Sequence, residues 1–353
     1  MPRNIALNGR TIGPGHPAYI MAEMSANHRG SYDEAVRLVH AMKAAGADAV
    51  KVQTYTPDTI TLDSDAPAFK QPEGSLWAGR TLYELYEEAC TPWDWQPRLQ
   101  AEAQALGLDF FSSPFDFTAI EFLEKLAVPA YKISSFEVVD LPLIRAVART
   151  GKPVIMSVGM ATADEIDEAI AVIRAEGNEQ IVLLKCVSAY PADPAAMNLR
   201  MMPELAERFH VPVGLSDHSL EIAVPVAAVA LGACVIEKHF TLDRSQGGPD
   251  SGFSLEPAEF RAMVDAVRVA EKALGRVTYA LTDAEQASRA FRRSLYVARD
   301  MRPGDVFTPE NLRSVRPGNG LSPKHYDALL GRQAVRAIQK GEPAAWDMVG
   351  REV

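Results

Sequence analysis

Residues 214–257 read GLSDHSLEIAVPVAAVALGACVIEKHFTLDRSQGGPDSGFSLEP. Ser216, Asp217 and His218 close a short apolar run. A small-residue apolar helix follows over residues 220–231. A second apolar run, 233–236, ends in Glu237, Lys238 and His239, and a Gly-rich polar loop then carries Asp250. This is the pattern of two neighbouring strands of a parallel sheet joined by a helix. Side chains alternate faces along a strand, so Ser216 shares a face with His218, and Glu237 shares one with His239. If both faces point inward, two imidazoles converge beside a carboxylate, a setting for a divalent cation with open positions. The plainer alternative is two hydrogen-bonded histidines at strand ends. Their joint occurrence in one strand–helix–strand unit favours the cation.

Outward from this stretch the same alternation repeats. Apolar runs lie at 18–24, 48–54, 108–113, 129–135, 153–159, 180–188, 211–217 and 233–240. Helical patterns lie at 32–45, 81–106, 117–125, 142–150, 163–176, 202–209, 220–231 and 257–274. Eight strand–helix pairs predict a (β/α)₈ barrel, with a doubly wound sheet as the alternative. Gly46 in AAGADAV sits where a glycine just past a helix would. The residue before proline at Thr91-Pro92 and Asp193-Pro194 disfavours helix. Residues 55–80 are long and irregular, include Trp77, and read as a loop over the barrel mouth.

The polar residues of these runs gather at their C-terminal ends. They are Glu23, Asn27, Lys51, Gln53, Ser112, Ser113, Lys132, Ser134, Ser135, Ser157, Ser188, Tyr190, Ser216, His218, Glu237 and His239. In barrels of this kind the active site lies at that face. Lysine inside an apolar strand is costly unless paired, and Lys51 and Lys132 both stand in such strands. Each is either paired with an internal glutamate or part of a cradle of ammonium and hydroxyl groups for phosphate and carboxylate. The second reading calls for a small, doubly anionic substrate.

The remaining features bound the class. The chain has 353 residues, is 47% hydrophobic and carries a net charge of −10. That charge argues against a nucleic-acid surface and against an anionic membrane. Cys90, Cys186 and Cys234 form no CxxC pair; Cys186 and Cys234 lie in apolar strands and read as small core residues. Scattered thiols, no apolar leader at the N-terminus and no run near ~20 apolar residues lead to the expectation of a reducing, cytoplasmic setting. After Gly275 the character changes. RVTYALTDAEQASRA (276–290) reads as a polar connector, followed by a small turn-rich domain with β-like runs at 294–298 and 334–338. The division expected is a barrel over 1–280, a linker over 281–290 and a small domain over 291–353. So small a domain needs something to pack against.

At these residues the chain resembles the N-acetylneuraminate (sialic acid) synthase family. AEMSANH, KVQTYTPDTITL, FFSSPFD, YKISSFE, SVGMA, GLSDHS, EKHFTLDR and GGPDSGFSLEP occur in the family's order. The tail FRRSLYVARDMRPGDVFTPENLRSVRPGNGL resembles its C-terminal antifreeze-like (SAF) β-rich domain. QTYTPDT and GGPDSGFSLEP most resemble the pseudaminic acid synthases of the family. The resemblance implies that His218 and His239 hold a divalent metal, Mn²⁺, Mg²⁺ or Co²⁺. It implies phosphoenolpyruvate contacts for Lys51, Ser113, Lys132, Ser135, Ser157 and Ser216. Glu23, Gln53, Tyr190, Glu237 and Asp250 match residues around the sugar acceptor and the reacting centre. Arg316 matches an arginine that reaches into the partner subunit's site, implying a domain-swapped homodimer. Ser188 stands where sialic acid synthases commonly have Asn, and Ser251 where they have His. Both departures fit an acceptor other than N-acetylmannosamine.

The reaction implied joins phosphoenolpyruvate to a diacetamido trideoxy hexose, giving a nonulosonic acid and phosphate. Legionaminic and N-acetylneuraminic acid synthesis are alternatives within the family. A metal-dependent sugar aldolase and a non-catalytic sugar-binding protein are alternatives outside it.

Overall fold

A computed structural model describes residues 3–350. The chain forms two compact units, Met1–Gly275 and Arg276–Val353. In the first, eight parallel strands close into a barrel. They are β3 (Tyr19–Glu23), β4 (Ala49–Thr54), β5 (Asp109–Pro114), β6 (Tyr131–Ile133), β7 (Val154–Ser157), β8 (Ile181–Cys186), β9 (Val213–Asp217) and β10 (Val235–His239). β10 pairs with both β9 and β3, so the two strands that end the 214–257 stretch are neighbours and the ring is complete. The (β/α)₈ expectation holds, and the doubly wound sheet is excluded by this closure.

The helices outside the barrel follow their local chemistry. They are α1 (Tyr32–Ala44), α2 (Pro57–Ile60), α3 (Leu82–Ala89), α4 (Gln96–Ala105), α5 (Phe117–Lys125), α6 (Leu141–Arg149), α7 (Ala163–Ala175), α8 (Met201–Phe209), α9 (Ala223–Ala230) and α10 (Pro257–Leu274). Ser31, Thr81, Asp116 and Thr162 each cap a helix by accepting a backbone N–H from its first turn. α10 buries Phe260, Met263, Val264 and Val267, the i, i+3, i+4, i+7 stripe of a helix laid on a core. Truncating Phe260 to alanine would cost about 3–5 kcal/mol.

Two helix boundaries differ from the sequence expectation. The pattern over 81–106 is two helices, α3 and α4, because Pro92 cannot continue the first, and Trp93–Trp95 makes only a 3₁₀ turn between them. The helix placed at 220–231 starts at Ala223, leaving Leu220 and Ile222 exposed.

An antiparallel hairpin, β1 (Ile5–Leu7) and β2 (Arg10–Ile12), precedes the barrel. Its turn residues Asn8 and Gly9 both have positive φ, as a tight two-residue hairpin turn requires. Asn8 Nδ2 donates to Asp109 Oδ1 over 2.6 Å, and Arg10 pairs with Asp48. Both aspartates sit at strand starts, so the hairpin is fastened to the N-terminal end of the barrel and the C-terminal end is left for chemistry.

The second unit has its own core, which includes Leu295, Val297, Met301, Phe307, Leu312 and Ile338. Its strands β11 (Ser294–Val297) and β12 (Leu312–Val315) pair antiparallel. The segment read as a linker carries a short capped helix, α11 (Asp283–Ser288). No helix among the described residues is long and apolar enough to cross a membrane.

Candidate active site

A cavity of about 480 Å³ opens at the C-terminal end of the barrel strands. Lys51, Gln53, Lys132, Ser135, Ser157, Tyr190, Ser216, His218, Glu237, His239 and Asp250 line it. Ser157 and His239 end their strands, His218 is the first residue beyond one, and Lys51, Gln53, Lys132, Ser216 and Glu237 stand within theirs, where strand alternation aims them at the barrel axis.

At its floor four charged groups meet. Lys51 pairs with the fully buried Glu23, and its Nζ lies 3.9 Å from Glu237 Oε1. Lys132 Nζ lies 3.7 Å from Glu237 Oε2 and donates to Ser157 Oγ over 2.6 Å. Ser216 Oγ donates to Glu237 Oε1 over 3.2 Å. Both readings of the buried lysines therefore apply: they are paired with glutamates, and Lys51, Lys132 and Glu237 face the cavity while Glu23 lies behind its wall.

Burial opposes charge on every member. For Glu237, the ammonium groups of Lys132 and Lys51 outweigh burial and hold its pKa below the ordinary value. For Glu23, burial prevails over Lys51 and the pKa is raised. Lys51 is raised despite burial because Glu23 and Glu237 flank it, whereas burial lowers Lys132. The Lys51–Glu23 partners thus shift the same way, because the carboxylate loses more hydration than one ammonium returns.

A small hydroxyl cradle adjoins Lys132. Gly159 N donates to Ser135 Oγ over 3.0 Å. A methyl group on Gly159 would stand 2.6 Å from Ser188 Oγ and 2.9 Å from Ser135 Oγ, so only glycine leaves this corner open. Ser113 and Ser188 are not on the cavity wall. Ser113 Oγ backs Lys51 Nζ at 3.4 Å and Ser134 Oγ at 3.3 Å, and Ser188 Oγ stands 4.0 Å from Cys186 Sγ.

The histidine pair lies on the adjoining wall. The rings of His218 and His239 are 5.3 Å apart between centroids and tilted 54°. His218 Nδ1 lies 3.0 Å from Val187 O; a carbonyl only accepts, so Nδ1 carries a proton and Nε2 is left to act as a ligand. His239 Nδ1 is buried with no hydrogen-bond partner, and so is Glu237 Oε2. Burial pushes the pKa of His239 well down, which keeps its ring neutral, whereas bonds to Cys186 and Val187 raise that of His218 despite burial, so a cation there would displace a proton. Two imidazoles with a free ring nitrogen and an unsatisfied carboxylate oxygen fit a divalent cation. No cluster of three or more His, Cys, Asp or Glu side chains at metal spacing occurs among the described residues. The chain therefore offers few ligands, which suits Mn²⁺ or Mg²⁺ with water or substrate in the open positions.

Ser25, Cys186 and Glu137 are wall residues outside the sequence reading, whereas Trp77 stands in the loop expected over the barrel mouth. Ser25, with positive φ, donates its N–H to Glu23 Oε1 over 2.9 Å, accepts from Gln53 Nε2 over 3.0 Å and hydrogen-bonds Asp250. Trp77 is half-buried: its Nε1 donates to Pro249 O over 2.9 Å, which fastens the 55–80 loop to the Gly-rich loop. Trp77, Tyr190 and Phe253 form an aromatic wall that runs up to both histidines. Cys186 is not simply a core residue, because as the last residue of β8 it faces inward, 3.8 Å from His218 Nδ1. Glu137 lines the cavity beside Lys132, its Oε2 has no partner, and burial raises its pKa to about 7. It lies in a 3₁₀ turn after β6, where strand periodicity gives no signal. Arg316 belongs to the second unit; it is exposed and has no hydrogen-bond or ion-pair partner among the described residues.

Comparison with known proteins is consistent along the chain. The NeuB family profile matches residues 38–279, and the SAF domain profile matches residues 292–350. A pseudaminic acid synthase of Campylobacter jejuni is 49% identical over 92% of this chain and 94% of its own. One from Helicobacter pylori is 44% identical over 96% and 99%. Among solved structures, the N-acetylneuraminic acid (sialic acid) synthetase of Leptospira borgpetersenii superposes with a TM-score of 0.73. It is 31% identical, and the match covers 82% of this chain and 95% of that one.

Proposed function

The chain belongs to the NeuB family, and from that premise we propose that it makes pseudaminic acid. It condenses phosphoenolpyruvate with 2,4-diacetamido-2,4,6-trideoxy-L-altrose and water, and releases phosphate. The observation that carries the reading is the meeting of two lysines and two histidines around Glu237 in one cavity.

Lys51 and Lys132 neutralise the carboxylate and phosphate of phosphoenolpyruvate, and the hydroxyls of Ser135 and Ser157 supply the phosphate's hydrogen bonds. Ser113 and Ser216 orient Lys51 and Glu237 from behind. The acceptor lies against Tyr190, Gln53 and Asp250, with its aldehyde toward the histidine wall. His218 and His239 would hold a divalent metal, which when bound supplies Lewis acidity to the aldehyde oxygen.

The methylene carbon of phosphoenolpyruvate attacks the aldehyde carbon, and a C–C bond forms. Positive charge develops at the enol carbon, where the carboxylate of Glu237 offsets it through its unpartnered oxygen. Water adds to that carbon, and Glu137 accepts its proton, a role suited to a carboxyl with a pKa of about 7. The C–O bond to phosphate then breaks and the remaining hydroxyl loses its proton to phosphate as the ketone forms, while the proton taken by Glu137 passes to the alkoxide on the former aldehyde carbon. Glu23 holds Lys51 in place.

The assembly we infer is a domain-swapped homodimer in which Arg316 completes the neighbour's site. Three features support it: Arg316 is exposed without a partner, Phe117, Phe136, Val139 and Met160 leave apolar surface exposed beyond the barrel strands, and basic residues outnumber acidic ones in Arg276–Val353 although the whole chain is acidic. We place the protein in the cytoplasm, in keeping with its three free cysteines.

The test is phosphate release with a panel of acceptors. The L-altrose derivative should be used far better than its legionaminic-type diastereomer or N-acetylmannosamine. Equal use of all three would refute the assignment.

A further inference from the structure

β9 and β10 are parallel neighbours, with Lys238 directly opposite Asp217. Ser216, Glu237 and His239 line the cavity, so Asp217 and Lys238 project from the opposite face of the strands. Both side chains are 0% exposed. Lys238 Nζ lies 2.6 Å from Asp217 Oδ2 and also donates to the carbonyl of Ser219. Asp217 Oδ1 accepts the N–H of Ser219 over 2.9 Å. One ammonium, on the residue before His239, thus holds the residues on both sides of His218.

Net stability does not account for this arrangement. A buried ion pair contributes little beyond what an apolar pair of similar volume would. What it fixes is geometry. His218 has other restraints: Nδ1 bonds Val187 O, and its carbonyl accepts the N–H of Ala192 over 3.0 Å. His239 is held through its carbonyl, which accepts the N–H of Leu255 over 2.9 Å, and by the edge of Phe253, but its Nδ1 has no partner, so the ring leans more on the placement of its strand.

We propose that Lys238 and Asp217 are positioning residues that set the spacing of His218 and His239 from behind the site. This rests on the reading of those histidines as cation ligands. Residues that orient metal ligands typically change metal affinity by about 10–100-fold when removed.

The test measures Mn²⁺ binding by the electron paramagnetic resonance of the free ion, alongside phosphoenolpyruvate binding by calorimetry without metal. Lys238→Met combined with Asp217→Asn removes both charges at similar volume and should still melt cooperatively. Its Mn²⁺ affinity should fall at least about tenfold, while phosphoenolpyruvate affinity stays near that of the wild type. Unchanged Mn²⁺ affinity in the folded variant overturns the proposal. Should that variant not fold, Lys238→Met combined with Asp217→Leu decides, because it leaves neither a charge nor an unpaired side-chain amide in the buried layer. It should weaken Mn²⁺ binding measurably, and wild-type affinity overturns the proposal. A wild-type protein that binds no Mn²⁺, or a His218→Ala, His239→Ala protein that binds it normally, removes the cation reading and this inference with it.

Discussion

Glu237 Oε2 lies 3.7 Å from Lys132 Nζ and accepts no hydrogen bond, while Lys132 donates instead to Ser157. The carboxylate is held near positive charge but is not consumed by it. A free oxygen on a buried, ionised group suits a centre where positive charge appears only during reaction. Glu237→Gln keeps the shape and the bond from Ser216 but removes the charge. It should lower kcat by about 10²–10³-fold with little change in the KM for phosphoenolpyruvate. A steady-state comparison checks this, and an effect confined to KM would assign Glu237 to binding.

Gly159→Ala tests the phosphate corner. The added methyl would meet Ser188 and Ser135 oxygens at 2.6 and 2.9 Å, so the hydroxyls must move. Misplacements of this size can cost up to about 10²-fold, and the KM for phosphoenolpyruvate should rise roughly tenfold or more. The acceptor's KM should move little. An unchanged phosphoenolpyruvate KM would place the phosphate elsewhere.

Much of this was legible in the chain, for identifiable reasons. Eight buried strands with polar C-terminal ends reveal a barrel and its active face, because period-two alternation and chain order fix both. Residues in strand ends were found: Lys51, Lys132, Ser157, Ser216, Glu237 and His239. In loops and short turns, Ser135, Tyr190 and Asp250 were reached through the resemblance, but Ser25 and Glu137 were not, because no periodicity governs them. Cys186 was misread since burial by a cavity wall and burial by a core produce the same apolar surroundings in sequence. The Asn8-Gly9 turn signal went unused, although Asn-Gly between short apolar runs marks a hairpin.

The pH profile should follow Glu137. Its pKa is raised to about 7 by burial, so the carboxylate that accepts a proton is present above that pH and lost below it. In wild type, kcat should fall roughly tenfold per pH unit on the acid side of that value. Glu137→Gln should be slow and should lack that limb. A limb that persists in the variant assigns it to another group.

Arg316→Ala and His218→Ala proteins should each be nearly inactive. Refolded together in equal amounts, random pairing yields hybrids in which one site of two is complete, so about a quarter of wild-type activity should return. If Arg316 served its own barrel, every site would still lack one residue and no activity would return.

The central claim is condensation with C–O cleavage. Phosphoenolpyruvate labelled with ¹⁸O in its bridging oxygen, incubated with the protein, Mn²⁺ and 2,4-diacetamido-2,4,6-trideoxy-L-altrose, tests it most directly. Mass spectrometry should find the label in phosphate, and a nine-carbon keto acid without it. Label retained in the sugar product, or no such product, would contradict the account.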